Sequence, residues 1–105
     1  MKVHSAGATV PTTHASRYLQ QLAKHWSHKL SVEFTAADGR IVFPKEVRGR
    51  SFPADATVTL RASDTALEVL VNASAAEQLD GLKSAVASHL DRFAFREAPL
   101  AFDWR

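Results

Sequence analysis

The segment LAKHWSHKL concentrates side chains that could do chemistry. It holds His25 and His28, Lys24 and Lys29, and Trp26 within nine residues. Imidazoles can bind a metal, act as a general base or receive an anion, whereas the lack of cysteine excludes thiolate ligands and cysteine nucleophiles. The segment is therefore a metal site, a catalytic base, an anion-binding surface, or the polar edge of an ordinary helix.

A third histidine joins this segment if the chain folds as its apolar pattern predicts. At about 100° per residue, His25 lies beside Tyr18 at the border of the apolar face of a first helix, and His28 lies further round beside Arg17. His89 borders the apolar face of a second helix. If the two helices pack side by side, we expect His25 and His89 to face each other across the seam between them.

A metal site would use His25 and His28 with His89 or Asp91 as the third ligand, a set that suits zinc, iron or nickel. The first two histidines are three residues apart rather than the usual four, and no carboxylate is placed to orient them. We therefore favour a packed His25 that bonds a backbone carbonyl, with His28 in solvent. The sequence indicates no particular cofactor.

Catalysis would need a nucleophile such as Ser27, Ser84 or Ser88 beside a histidine and a carboxylate. The chain has no G-x-S-x-G elbow and no glycine-rich phosphate loop, and its helix serines fit solvent-facing positions. We expect a protein that is not an enzyme, with a histidine-ligated metalloprotein or hydrolase as the alternative.

Binding of an anionic small molecule is the favoured function, because arginine forks and imidazoles suit carboxylate, phosphate or catecholate oxygens. Tyr18 and Trp26 could add a stacking face, although Trp26 lies centrally on the apolar side and fits the core. A solvated charged flank is the competing interpretation. The predicted ligand-binding residues are His25, His28, His89, Arg17, Lys24, Arg92, Arg96 and Tyr18.

Composition fits this interpretation. A chain of 105 residues with 46% hydrophobic and 23% charged residues predicts a single globular domain over residues 1–105. A net charge of +2 is too small for a dedicated nucleic-acid binder. The sequence contains no apolar run of signal-peptide or membrane-span length, so we expect a cytoplasmic protein without a membrane partner.

The first half of the chain predicts a strand, a helix and a hairpin. A strand over residues 3–10 ends at Pro11, and Thr12 or Thr13 then caps a helix from Ala15. Val32 and Phe34 alternate with polar residues, as do Ile41 and Phe43 on the returning strand. Asp38-Gly39 predicts the tight turn between these two strands. The following residues 44–55 predict a long loop with a short edge strand around Arg48–Phe52, in which Lys45, Arg48 and Arg50 are solvated.

The second half predicts another hairpin and a helix. Alternation over residues 58–71, with a turn at SDT, gives two further strands. Ser74 and Glu77 form a capping box that opens a helix ending near Ala94, and residues 100–105 predict a last short strand. The fold class is α+β, with a two-layer arrangement of an antiparallel four- to five-stranded sheet and two helices on one face.

Three segments, VPTTHASRYLQQLAKHWSHKL, VEFTAADGRIVFP and HLDRFAFREAPL, resemble the bacterial domain-of-unknown-function family 2218 from about Ala8 to the C-terminus. The resemblance implies a βαββββα order similar to the TATA-binding-protein-like class, shared with the C-terminal domain of phosphohexomutases. The resemblance further implies an association with siderophore uptake, with a ferric siderophore as ligand and a siderophore-interacting reductase as partner.

The resemblance also marks residues of the predicted site. This chain departs from the family pattern at Ala23, where a cysteine is common, and it lengthens the segment between Phe43 and Val58. The motif positions that match are Pro11, Thr12, Ser16, Arg17, Tyr18, Leu22, Lys24, His25, His28, Lys29, His89, Arg92, Phe93, Phe95, Arg96 and Glu97. Together these observations predict a cytoplasmic binding module, monomeric or homodimeric, with a protein–protein adaptor as a further alternative.

Overall fold

The computed structural model describes residues 4–47 and 49–105 and contains seven strands and two helices in that part of the chain. Val3, in the predicted first strand, and Arg48, in the predicted edge strand, lie outside the described residues. The elements are β1 His4–Pro11, α1 Ala15–Ser27, β2 Ser31–Phe34, β3 Asp38–Phe43, β4 Glu46–Val47, β5 Arg50–Ser51, β6 Ala56–Ala62, β7 Ala66–Ala73 and α2 Ala76–Phe93.

Five strands form one antiparallel sheet in the order β1-β7-β6-β3-β2, which confirms the predicted α+β class and the upper limit of the predicted strand number. The strands alternate between the two faces of this sheet: Leu60 and Val69 are buried, while Thr59 and Leu70 are exposed on the other side. The helices cover the buried face, and the buried side chains form one hydrophobic cluster with them. One face of the sheet thus supports both helices.

The two helices run antiparallel beside each other on that face. His25, near the end of α1, contacts His89 and Phe93 of α2, whereas Tyr18, earlier in α1, contacts Glu97 just after α2. Helix α1 lies over β2, β3 and β6, and α2 lies over β1 and β7. The seam between α1 and α2 therefore has two ends, one near Tyr18 and one near His25.

The first hairpin turns earlier than predicted. Asp38 and Gly39 lie inside β3, and the turn comprises residues 35–37. The hydroxyl oxygen of Thr35 accepts hydrogen bonds from the N–H groups of Ala37 and Asp38, both at 3.1 Å, and so stabilises the turn. A Cβ atom at Gly39 would lie 3.4 Å from Cδ2 of Leu19, an ordinary contact distance, so neither the turn nor the packing requires glycine there.

Neither helix begins with the predicted side-chain cap. His14 is the N-cap of α1, and its side chain makes no capping bond. Thr12 lies further back, where its hydroxyl oxygen accepts a hydrogen bond from the His14 N–H at 3.1 Å. At α2, Ala75 is the N-cap.

The predicted partnership of Ser74 with Glu77 is replaced by one with Gln78. The N–H of Ser74 donates to Oε1 of Gln78 at 2.7 Å, and Nε2 of Gln78 donates to the Ala54 carbonyl at 3.1 Å. Gln78 is buried, so it satisfies backbone groups that water does not reach. This contact ties the start of α2 to the chain segment that leads into β6.

Two predicted strands take other forms. Residues 50–51 pair with β4 in a separate two-stranded hairpin, with Gly49 at a φ of 80° in its turn, and do not form an edge of the main sheet. Residues 101–105 form no strand, although Arg105 exchanges two backbone hydrogen bonds with Gly7, of 2.8 and 2.9 Å. Leu100, just before them, is buried.

One-sided burial of the sheet predicts unequal effects from two leucines in adjacent strands. Leu60→Ala removes a fully buried side chain and should lower the free energy of unfolding by about 2–5 kcal/mol. Leu70→Ala, on the exposed face, should lower it by less than about 1 kcal/mol. Urea unfolding of both variants measures the difference, and equal losses would contradict the assignment of the two faces.

Candidate functional site

A row of five aromatic rings crosses the seam near the end of α1. Their centroid separations are 5.9 Å from Phe93 to His25, 5.1 Å from His25 to His89, 5.0 Å from His89 to Trp26, and 5.0 Å from Trp26 to Phe43. The contact between His25 and His89 across the seam, predicted from helical periodicity, is thereby confirmed, with the two rings tilted at 50°. We call these residues the ring row.

The tautomer of His89 follows from its hydrogen bond. Nδ1 of His89 lies 2.7 Å from the carbonyl oxygen of Ala85, one turn earlier in α2. Because a carbonyl oxygen can only accept, Nδ1 carries the proton. The Nε2 atom is therefore the ring nitrogen of His89 that is left to contact a ligand.

The surroundings of His25 lower the pKa of its imidazole. His25 is exposed to solvent, in contrast to the packed histidine that the sequence favoured. The remaining desolvation of its ring lowers the pKa, and the charges of His89, Arg92, His28 and Lys29 lower that pKa further. These four neighbours are all basic, so the repulsion is one of like charges. An anion placed among these groups would reverse that effect.

A cleft of about 850 Å³ opens beside the ring row, between the end of α1, the first turns of α2 and the segment after β3. This volume lies within the range of ordinary small-molecule sites. Its lining contains both apolar and basic side chains. The lining residues are His25, Trp26, His28, Lys29, Leu30, Phe43, Pro44, Phe52, Glu77, Gln78, Gly81, Leu82, Ala85 and His89.

The structure divides the predicted site residues into two groups. His25, His28 and His89 line the cleft together. The lining does not include the other predicted residues, namely Arg17, Lys24, Arg92, Arg96 and Tyr18. Arg92 still acts on the charge of His25, and the guanidinium of Arg96 lies 5.5 Å from the ring centre of Phe95.

Tyr18 is not the stacking face that the sequence suggested. Its side chain is buried, with 5% of the residue exposed, and its hydroxyl donates to Oε2 of Glu97. The hydroxyl of Thr12 lies 3.0 and 3.1 Å from the two carboxylate oxygens of the same glutamate. Because the tyrosine ring packs in the core and its hydroxyl is occupied, this end of the seam is closed.

These hydrogen bonds shift both pKa values. Burial, followed by the Glu97 carboxylate, raises the pKa of Tyr18 above its ordinary value. The hydrogen bond from Tyr18 is the largest cause that lowers the pKa of Glu97. Tyr18 is therefore a neutral donor and Glu97 an ionised acceptor at neutral pH.

The geometry does not assemble the predicted three-ligand metal set. Among the described residues, no group of three or more histidine, cysteine, aspartate and glutamate side chains could hold a metal ion. In the same part of the chain, no helix is long and apolar enough to span a membrane.

The sequence did not predict that Phe43, Pro44 and Phe52 line the cleft. Phe52 comes from the segment 44–55, which the sequence predicts to be a long loop with solvated basic residues. Phe52 is half-buried. The available signal was an aromatic residue in an otherwise polar loop, since such a side chain seldom stays in water without a partner.

The chain belongs to the bacterial domain-of-unknown-function family 2218, described as uncharacterised proteins conserved in bacteria, whose sequence pattern matches residues 7–105. No functionally curated protein matches the chain. The NMR structure of PA4090 from Pseudomonas aeruginosa is similar, with 29% sequence identity, a TM-score of 0.75, and 96% of this chain and 94% of that chain covered. The likeness to TATA-binding-protein-like folds stays a prediction.

The closed end of the seam predicts a pH-dependent stability effect for Tyr18→Phe. Removing the hydroxyl should lower the free energy of unfolding by about 1 kcal/mol at about pH 7, because an ionised acceptor loses a donor. Since folding lowers the pKa of Glu97, this contribution is present above the ordinary carboxyl range and is lost as the pH falls through the folded-state pKa.

Urea unfolding of wild type and Tyr18→Phe between about pH 7 and about pH 3 measures this effect. Ser27→Ala is a matched control, because its hydroxyl bonds only the Lys24 carbonyl at an exposed helix end. A Tyr18→Phe loss that stays constant over this pH interval would show that Glu97 is not the partner responsible.

Proposed function

We propose that this protein is a non-catalytic binding module whose ligand is an anionic small molecule held in the cleft at the His25 end of the seam. The observation that supports this most strongly is the convergence of His25, His28, Lys29 and His89 on one cleft of suitable volume. These four basic side chains come from α1, the two residues after it and α2, and the first and last of them, 25 and 89, lie 64 residues apart in the sequence.

The electrostatics of the cleft favour an anion through side chains rather than through the backbone. The C-terminal end of a helix carries partial negative charge, so α1 itself repels an anion at this position. Lys29 is positively charged at neutral pH, and the imidazoles can donate hydrogen bonds or accept a proton. Attraction therefore depends on these four side chains, which makes it sensitive to single substitutions.

We also propose a particular ligand and a protein partner for this module. A ferric siderophore would present anionic oxygens to the same groups, and a siderophore-interacting reductase would be its partner. Both proposals rest on the association of the family with siderophore uptake. The lack of cysteine supports placing the binding role in the reducing cytoplasm.

An NMR titration tests the proposed function directly. Benzoate, inorganic phosphate, zinc and a ferric tris-catecholate are each added to the protein at about pH 7, with amide and imidazole signals recorded. We expect benzoate to cause saturable shifts at His28, His89 and Lys29, while the amide of Tyr18 stays unchanged because that end is closed.

One lysine variant and one arginine variant test whether benzoate binding depends on the cleft. Lys29→Gln should weaken benzoate binding by about 2- to 5-fold, since it removes the partly exposed ion pair between Lys29 and the benzoate carboxylate. Arg17→Gln, in α1 and outside the cleft, should change it by less than about 2-fold. If no ligand moves the cleft imidazoles, the binding proposal is wrong and a protein–protein adaptor becomes the better hypothesis.

A further inference from the structure

We infer that the ligand of the cleft is an aromatic monoanion, such as an aryl carboxylate, with its ring on the apolar wall and its anionic oxygens at Lys29 and His28. This inference rests on the proposed function, because it specifies the chemical class of the ligand in the same cleft. It follows from three features: the uneven distribution of polarity, the ring row, and the number of fixed charges.

The lining of the cleft combines basic and apolar side chains from different segments. The basic ones come from the end of α1, the two residues after it and His89, whereas β3 and the segment after it contribute Phe43, Pro44 and Phe52, which are apolar. A small hydrophilic anion would reach the basic end and leave the apolar wall in water. A ligand with a ring attached to its anionic group covers both, and burying the ring should increase affinity by about 10- to 100-fold.

The ring row indicates an aromatic body. Trp26 and Phe43 pack edge to face, with an interplanar angle of 83°, and both side chains also line the cleft. His89 packs against Trp26 and lines the same space. A planar ring placed here meets faces and edges of other rings, which is the arrangement aromatic groups favour. The ligand ring would extend the row by one member.

The charges of the described lining favour a ligand with a single anionic head. Among the described residues that line the cleft, Lys29 is the one lysine or arginine. A single anionic head can pair with Lys29 and lie beside His28, whereas a polyphosphate would need more lysine or arginine side chains than this part of the lining supplies.

A second groove, on the exposed face of the sheet, lacks these features. It has a volume of about 740 Å³ and includes Arg61 and Arg105. Arg61 lies 3.5 Å from the carboxylate of Asp38, and Arg105 lies 2.9 Å from that of Asp103. Because both guanidinium groups already have anionic partners, this groove offers less to an added anion than the cleft does.

Three probes separate the parts of the inferred ligand: 2-naphthoate carries ring and charge, acetate carries the charge, and 2-naphthalenemethanol carries the ring. Dissociation constants are measured for each by NMR titration of the wild-type protein at about pH 7. We expect 2-naphthoate to bind at least about 10-fold more tightly than either partial probe, because it alone satisfies both regions.

Two variants assign the effect to its residues. Phe52→Ala should weaken 2-naphthoate by about 5- to 10-fold and leave acetate unchanged, because it shortens the apolar wall only. Lys29→Gln should weaken 2-naphthoate and leave 2-naphthalenemethanol unchanged. Phe52→Leu retains most of the apolar volume and should weaken 2-naphthoate binding by less than Phe52→Ala does. It tests the same contact if Phe52→Ala does not fold.

The outcomes distinguish this inference from the proposal beneath it. If acetate binds in the cleft as tightly as 2-naphthoate, the aromatic class is wrong while anion binding stands. If 2-naphthalenemethanol equals 2-naphthoate, the anionic head is unnecessary and both proposals are wrong. If none of the three probes binds, the aromatic class is wrong, and the phosphate and tris-catecholate titrations decide the proposed function separately.

Discussion

The side-by-side packing of two antiparallel helices on one face of the sheet is the constraint on which the other features depend. Alternation in the strands leaves a single apolar face, and both helices must bury their own apolar faces against it. Residues at the border of each apolar face are then forced to meet along the seam. His25 and His89 are such border residues, and their ring centroids lie 5.1 Å apart.

The two ends of the seam differ in how completely their polar groups are satisfied. At the closed end, the carboxylate of Glu97 accepts hydrogen bonds from Tyr18 and Thr12, and the tyrosine ring packs in the core. At the other end, His25 is surrounded by basic neighbours, and the cleft separates α1 from the segment after β3. The first arrangement stabilises the fold, whereas the second brings several basic side chains together beside apolar ones. A cluster of basic side chains in a cleft is the physical reason to assign function there.

Much of this arrangement could be predicted from the sequence, because periodicity reports which side of an element faces the core. The α+β class, the main elements along the chain and the meeting of His25 with His89 all follow from it. The turn at Thr35 and the role of Gln78 at α2 could not be predicted, because several side chains nearby offered equivalent hydrogen bonds. Contacts between distant parts of the chain were likewise beyond periodicity. Tyr18 and Glu97 are 79 residues apart, and the apolar wall depends on where the loop places Phe52.

The central claim is that the open end of the seam holds an aromatic anion between its basic and apolar sides. Intermolecular NOEs between 2-naphthoate and the isotope-labelled protein test this claim most directly. The structure predicts NOEs from the naphthyl ring protons to Phe52 and Trp26, with the ring edge that bears the carboxylate closest to Lys29 and His28. NOEs to Leu70 and Thr59 in the groove on the exposed face of the sheet, with none to the cleft, would contradict it.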